Sequence, residues 1–260
     1  MKTRDIIKKT LVFALTLTIV AAFTACGTDG GEGNQNPDAD NVPTQIDQSL
    51  YHAKYKEALQ NMLDNRVFPN GEQLYTNDGD EETVWGDNKF AITDVDEDGI
   101  DELLINFGNA PTVGEIFYIF QYDTENDTFK EALAAYPAVA FYDNGYATVQ
   151  ASHNQGMAGE FWPYAIYQYD AAKDTYEQKY YIDAWDQVFY PKDYDGNPYP
   201  DAVDTSKTGI VYYIYEDVTK EVDPVDKSEY DSLVTDTYGS ATEVTIDYVD
   251  ITQENIDAIS

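Results

Sequence analysis

"YIFQYDTENDTF" at 118–129 and "AIYQYDAAKDTY" at 165–176 are one pattern written twice. Ile119/Ile166, Gln121/Gln168, Tyr122/Tyr169, Asp123/Asp170, Asp127/Asp174 and Thr128/Thr175 coincide at an offset of 47. Each copy is an apolar-aromatic run, a polar turn and a returning run, which is the signature of a β-hairpin. The Asp before each turn can accept the N–H two residues on and fix the reversal. A degraded third copy follows in "YYIYEDVTKEV" (212–222), and Asn144-Gly145 signals a further hairpin with a type I′ turn. A hairpin repeat at about 40–50 residues is what propeller blades show. Two good copies are too few to close a propeller, so the chain reads as mainly β (α+β): an open, blade-like antiparallel meander.

Helices belong at its ends. In "DQSLYHAKYKEALQNMLDN" Tyr51, Tyr55, Leu59 and Met62 recur at helical spacing, with Asp47 or Ser49 as N-cap. His52 lies beside that stripe without a partner motif. The tail reads as a helix over 226–239, a strand over 241–249 and a short last helix over 252–259.

Ahead of this domain the sequence reads as an address. Lys2, Arg4, Lys8 and Lys9 precede the apolar run "LVFALTLTIVAAF" (11–23), too short for a comfortable membrane span. It ends in "FTAC", where small Ala25 precedes Cys26, the only cysteine. This resembles the lipobox of bacterial lipoproteins, with Phe23 where that family prefers Leu. The resemblance implies cleavage after residue 25, lipidation of Cys26 and an extracytoplasmic, membrane-anchored location. Ordinary secretion with a free Cys26 is the plainer alternative. Residues 26–47 are polar and rich in Gly, Asn and Asp, a flexible tether. Residues 48–260 are then one β-rich domain, held by its core because a lone Cys makes no internal disulfide.

Fifteen Lys+Arg face 49 Asp+Glu, a formal net charge of −34. Residues 1–25 carry four of those bases and one acid, so the processed chain would be more acidic still. Such a surface repels nucleic acid and attracts cations.

One acidic stretch is organised. In "ITDVDEDGIDELLINF" (92–107), Asp94, Asp96 and Asp98 stand at positions 1, 3 and 5 of a loop, Gly99 at 6, Ile100 at 7 and Glu102 at 9. A hard cation needs six to eight oxygens, and alternate side chains of a coiled loop converge on one point. Gly at 6 permits positive φ, the Ile100 carbonyl offers a neutral ligand, and Glu102 closes the shell. An EF-hand is disfavoured, because position 12 is Ile105 and the flanks are strand-like. A strand–loop–strand with an acid at position 9 resembles the calcium loops of FG-GAP and VCBS-type repeats, as in integrin propellers. The order of lipobox, tether, helix, "DVDEDGIDELLI", "IFQYD", "FYDNG", "SHNQGMAGEFWPYAIYQYD" and "DAWD" is similar to a group of uncharacterised bacterial surface lipoproteins. The resemblance implies one calcium ion and a surface location, and lends no activity. An empty acidic turn is the alternative.

A second stretch, "DYDGNPYPD" (193–201), puts Pro198 where positive φ is needed and reads as a turn. The loop "ASHNQGMAGEFWPY" (151–164) places His153, Asn154, Gln155 and Trp162 together as a possible ligand loop. Its plainer reading is a structured connection with Trp162 in the core. No nucleophile has a recognisable base beside it, and no phosphate loop or zinc spacing appears. Three functions stay open: a non-catalytic calcium-stapled module or scaffold, a glycan- or protein-binding surface using Trp162, Trp85 and Tyr164, and a hydrolase centred near His153. Oligomeric state is not readable.

Overall fold

The computed structural model describes residues 47–74, 85–86, 88–108, 110, 114–151 and 155–260. The expected signal segment, Cys26, the tether up to residue 46, and His153 and Asn154 lie outside these. Helix α1 (Ser49–Asn65) forms as its spacing predicts, with Tyr55, Ala58, Leu59 and Met62 buried on one face. Asp47 Oδ1 accepts the Ser49 N–H at 3.0 Å. The cap residue itself is Gln48, whose side chain is committed elsewhere. Arg66 ends the helix in the left-handed region, its N–H on Met62 O.

Ten strands follow in two five-stranded sheets. The first contains β1 (Lys89–Thr93), β2 (Glu102–Phe107), β3 (Ile116–Asp123), β4 (Thr128–Ala135) and a two-residue β10 (Val249–Asp250), in the order β10-β1-β2-β3-β4. The second runs β5-β6-β7-β8-β9, from β5 (Val139–Phe141) and β6 (Tyr146–Gln150) through β7 (Tyr164–Asp170) and β8 (Thr175–Asp186) to β9 (Ile210–Tyr215). Every pairing is antiparallel, and neither sheet closes into a barrel. The expected open meander is present twice.

The repeat is carried into backbone detail. Hairpins β3–β4 and β7–β8 are its two good copies. Asp123 Oδ1 accepts from Glu125 N–H at 2.9 Å, and Asp170 Oδ1 from Ala172 N–H at 3.0 Å. Each turn closes on an aspartate with positive φ, Asp127 at 52° and Asp174 at 54°. Each hairpin also shifts register at the same place, Ile119/Phe120 and Ile166/Tyr167, a bulge that sharpens the twist.

Three local expectations are corrected. The third copy supplies β9 and an Asp217 turn, but its return makes only the bridge Tyr212–Val225. Lys220, Glu221 and Asp223 offer no apolar face, and Pro224 has no N–H to donate. The Asn144-Gly145 turn is not type I′: Gly145 alone has positive φ, at 78°, and its N–H bonds Tyr142 O at 3.1 Å. That is a type I turn closed by a left-handed glycine. Asn144 is instead engaged through Nδ2 with Thr237 O at 2.7 Å. Finally, 241–249 becomes an extended strap rather than a strand, apart from Val249 in β10 and the bridge Tyr142–Glu243. Its alternating Val244, Ile246 and Tyr248 pack on the core, which explains the strand-like pattern.

The core has three levels. Helix α1 and the last helix α3 (Gln253–Asp257) cover one face of the first sheet, burying Leu103, Ile105, Phe107, Tyr118 and Phe120. Between the sheets, Leu104, Phe117, Ile119 and Leu133 meet Phe141, Ala147 and Tyr176. On the far face of the second sheet, helix α2 (Lys227–Asp236) sets Tyr230 and Leu233 against Tyr164, Ile166, Ile182 and Tyr212. Strand β2 is thus buried on both faces. Glu102, sharing Leu104's side by the strand period, points toward the space between the sheets.

Candidate metal centre

The acidic loop connects β1 to β2 and is shaped by its own main chain. Gly99 has φ 90° and Glu97 φ 65°, so the chain coils where the sequence anticipates it, with a second left-handed residue in addition. Asp94 Oδ2 accepts Gly99 N–H at 2.9 Å, Asp96 Oδ1 accepts Asp98 N–H at 3.1 Å, and Asp98 Oδ1 accepts Ile100 N–H at 2.7 Å. Glu102 reaches back from β2, its Oε2 taking Val95 N–H at 2.9 Å.

These bonds use one oxygen of each carboxylate. Glu102 is fully buried, and its Oε1 has no hydrogen-bond partner; Asp94 Oδ1 is likewise buried and unpartnered. Leaving ionised oxygens so placed costs several kcal/mol unless something pairs with them. Asp94, Asp96 and Glu102 each offer an oxygen within 4.8 Å of the other two. That spacing fits ligands on one hard cation with bonds of about 2.3–2.6 Å. The residues present therefore suit a divalent cation and an all-oxygen shell.

Electrostatics point the same way. Burial pushes Glu102 up to about 9, with Asp96, Asp98 and Asp94 adding to it against the pull of the Val95 N–H. Burial also raises Asp96 to about 6, opposed by a hydrogen bond from Tyr169 and reinforced by Asp98. Asp98 is raised by burial as well. A bound cation would reverse these shifts by favouring the ionised forms.

Sequence reasoning brought five residues to the loop, and the structure divides them. Asp94, Asp96 and Glu102 form one group of oxygens. Asp98 joins Asp96 in a second group, whose third member is Asp174 from the β7–β8 turn. Ile100 is half-buried in the last turn and donates its N–H to Asp98. Asp174, Tyr169 and Gln121 were missed. Tyr169 hydroxyl donates to Asp174 Oδ1 at 2.8 Å, and Gln121, its amide turned to donate, reaches the same oxygen at 3.1 Å. The only sequence signal for Asp174 was its place in the repeat.

The loop is clamped from both sides. On the helix side, Gln48 Nε2 donates to Gly99 O at 2.8 Å and Gln48 Oε1 accepts Asp101 N–H at 3.2 Å. Tyr55 hydroxyl donates to Asp101 O at 2.6 Å, and His52 Nε2 lies 2.7 Å from Asp101 Oδ2, giving His52 a role the sequence did not suggest. From the second sheet, Tyr176 hydroxyl donates to Val95 O at 3.3 Å. A hollow of about 300 Å³ opens beside Asp94 and Asp96, bounded by Tyr142, Asn144, Gln168 and Tyr169.

Among the described residues, the other candidates gather no such geometry. Asp193 accepts Asp195 N–H at 3.0 Å and Asn197 N–H at 2.7 Å, so the second acidic stretch is the expected turn. In the possible ligand loop, Gln155 is half-buried and Trp162 is 37% exposed, with its Nε1 donating to Ala151 O at 2.7 Å. Trp85 and Tyr164, which the glycan-binding alternative needs at the surface, are only 9% and 8% exposed. Trp85 packs edge-on to Phe107, and Tyr164 sits beneath α2. Comparisons with family models, curated proteins and solved structures gave no match.

Proposed function

We propose that the chain is a lipid-anchored, extracytoplasmic, calcium-binding β-rich module with a structural rather than catalytic ion. The unpartnered, fully buried Glu102 oxygen carries the metal half of this reading: a bound cation would pair with it. Calcium is the ion that suits a flexible all-oxygen loop, and extracellular modules work with weak sites, at Kd about 10⁻⁴–10⁻³ M. The "FTAC" segment supports the anchor. Equilibrium dialysis against calcium, with magnesium as competitor, tests the ion. Palmitate labelling of cells expressing the full chain tests the anchor: label lost in Cys26→Ser supports it, and label absent from both chains overturns it.

A second reading, that the module's surface binds glycans, is favoured by a tyrosine strip on the second sheet. Tyr181 and Tyr215 pair across β8 and β9 with ring centroids 6.2 Å apart, and Tyr213 stacks along β9 at 6.4 Å from Tyr215. Tyr181, Tyr215, Asp183 and Val218 line a hollow of about 290 Å³. Aromatic faces beside a carboxylate suit a sugar ring and its hydroxyls. Polysaccharide retention that Tyr215→Ala abolishes would support this reading, and equal retention by both chains would remove it.

A further inference from the structure

We propose that Asp174, on the second sheet, completes the cation centre of the 94–102 loop, so that one centre ties the two sheets together. The inference rests on the cation reading above and extends it across the sheets. Asp96 belongs to two groups of oxygens at once, Asp94–Asp96–Glu102 on one side and Asp96–Asp98–Asp174 on the other, each drawn within 4.8 Å. The buried, unpartnered Glu102 oxygen points to a ligand in the first group. Asp96, shared between the groups, carries the centre toward Asp174.

The repeat supplies an internal comparison. Asp127 and Asp174 occupy the same turn position, with φ 52° and 54°. Each accepts the hydroxyl of the tyrosine five residues before it, Tyr122 at 2.6 Å and Tyr169 at 2.8 Å. Each also meets a lysine, Lys54 at 2.9 Å and Lys130 at 3.0 Å. The difference lies in the remaining neighbours. Asp174 faces the acidic loop, and the Tyr169 hydroxyl that donates to Asp174 lies beside Asp96 as well; Asp127 belongs to neither group of oxygens. A carboxylate set against two others is repulsive unless a cation sits among them, and Lys130 supplies only one charge at its edge. The class of ligand is a hard divalent cation held by Asp94, Asp96 and Glu102, with Asp98 and, from the second sheet, Asp174 supplying further oxygens around the shared Asp96.

The test is calcium titration of the chain from residue 27 onward by calorimetry, for wild type, Asp174→Asn and Asp127→Asn. Asn accepts positive φ as readily as Asp, so neither turn should be lost. Hydrogen exchange of β7 and β8 with and without calcium adds a readout that does not depend on the variants. The expected result is calcium affinity at least tenfold weaker in Asp174→Asn, unchanged in Asp127→Asn, and protection of β7–β8 that rises with calcium in wild type. Wild-type affinity in Asp174→Asn, or protection confined to the first sheet, overturns the inference and leaves the loop site standing. A wild type that takes up no calcium overturns the loop reading itself.

Discussion

Glu102 Oε2 accepts the N–H of Val95 at 2.9 Å, while the other oxygen of the same carboxylate is buried with nothing to bond. The pairing joins the start of the loop to its end, and so closes the loop around a half-satisfied acid. Its burial follows from the strand period: Glu102 opens β2 on Leu104's side, which the second sheet covers.

Without a cation the sign of the pH dependence is determined. Glu102 is raised from 4.5 to about 9 and Asp96 from 3.8 to about 6, both chiefly by burial. The folded state then holds more protons than the unfolded one from about pH 4 to 9, so stability falls as pH rises through that window. Thermal melts in chelator should show the melting temperature declining from pH 5 to 8. Calcium, which binds the ionised forms, should flatten that decline.

Glu102→Gln keeps an acceptor for Val95 and removes the buried titratable acid. In chelator at neutral pH it should stabilise by about 1–3 kcal/mol, since folding no longer has to protonate a buried acid that is ionised in the unfolded chain. The same variant should lose its melting response to calcium. Denaturant unfolding in chelator and in calcium measures both effects on one protein.

Tyr55 links the helix to the loop. Its hydroxyl donates to Asp101 O at 2.6 Å and accepts Tyr122 N–H at 3.4 Å. Tyr55→Phe leaves that carbonyl short of a partner, at a cost of about 1–3 kcal/mol. Calcium affinity should fall with it, because Asp101 adjoins Glu102. Urea unfolding and a calcium titration of the variant check the two halves separately.

Gly159 marks the other constrained turn. Its φ is 65°, and a Cβ there would lie 2.5 Å from Asp186 Oδ2 and 2.8 Å from Phe189 Cδ2. Gly159→Ala should therefore destabilise by about 1–3 kcal/mol, roughly 2–12 °C for a domain of this size. Calcium binding at the loop should be untouched, which calorimetry on the variant would show.

Much of the fold was legible because hairpins declare themselves locally. The paired "QYD…DT" segments, the aromatic runs and the helical stripe of α1 all rest on spacing within one element. What was not legible depends on which element lies across from which. Asp174 is an ordinary turn aspartate until the second sheet lies against the first and brings it to Asp96. Trp85 and Tyr164 could stand as candidate surface aromatics for the same reason, since only the packing of Phe107 and α2 buries them. The strap 241–248 shows the converse, an alternating pattern satisfied by packing without a ladder.

The most direct test of a structural cation in this loop is a pair of thermal melts, in calcium and in chelator, for wild type, Asp96→Ala and Asp98→Ala. At a hundredfold excess over Kd, one bound ion adds about 2.7 kcal/mol, or about 5–10 °C for a domain of this size. Both substitutions should abolish that shift and leave a melting temperature insensitive to chelator. Equal wild-type melts in calcium and chelator, with no heat on titration, would contradict it and return the loop to an acidic turn without an ion.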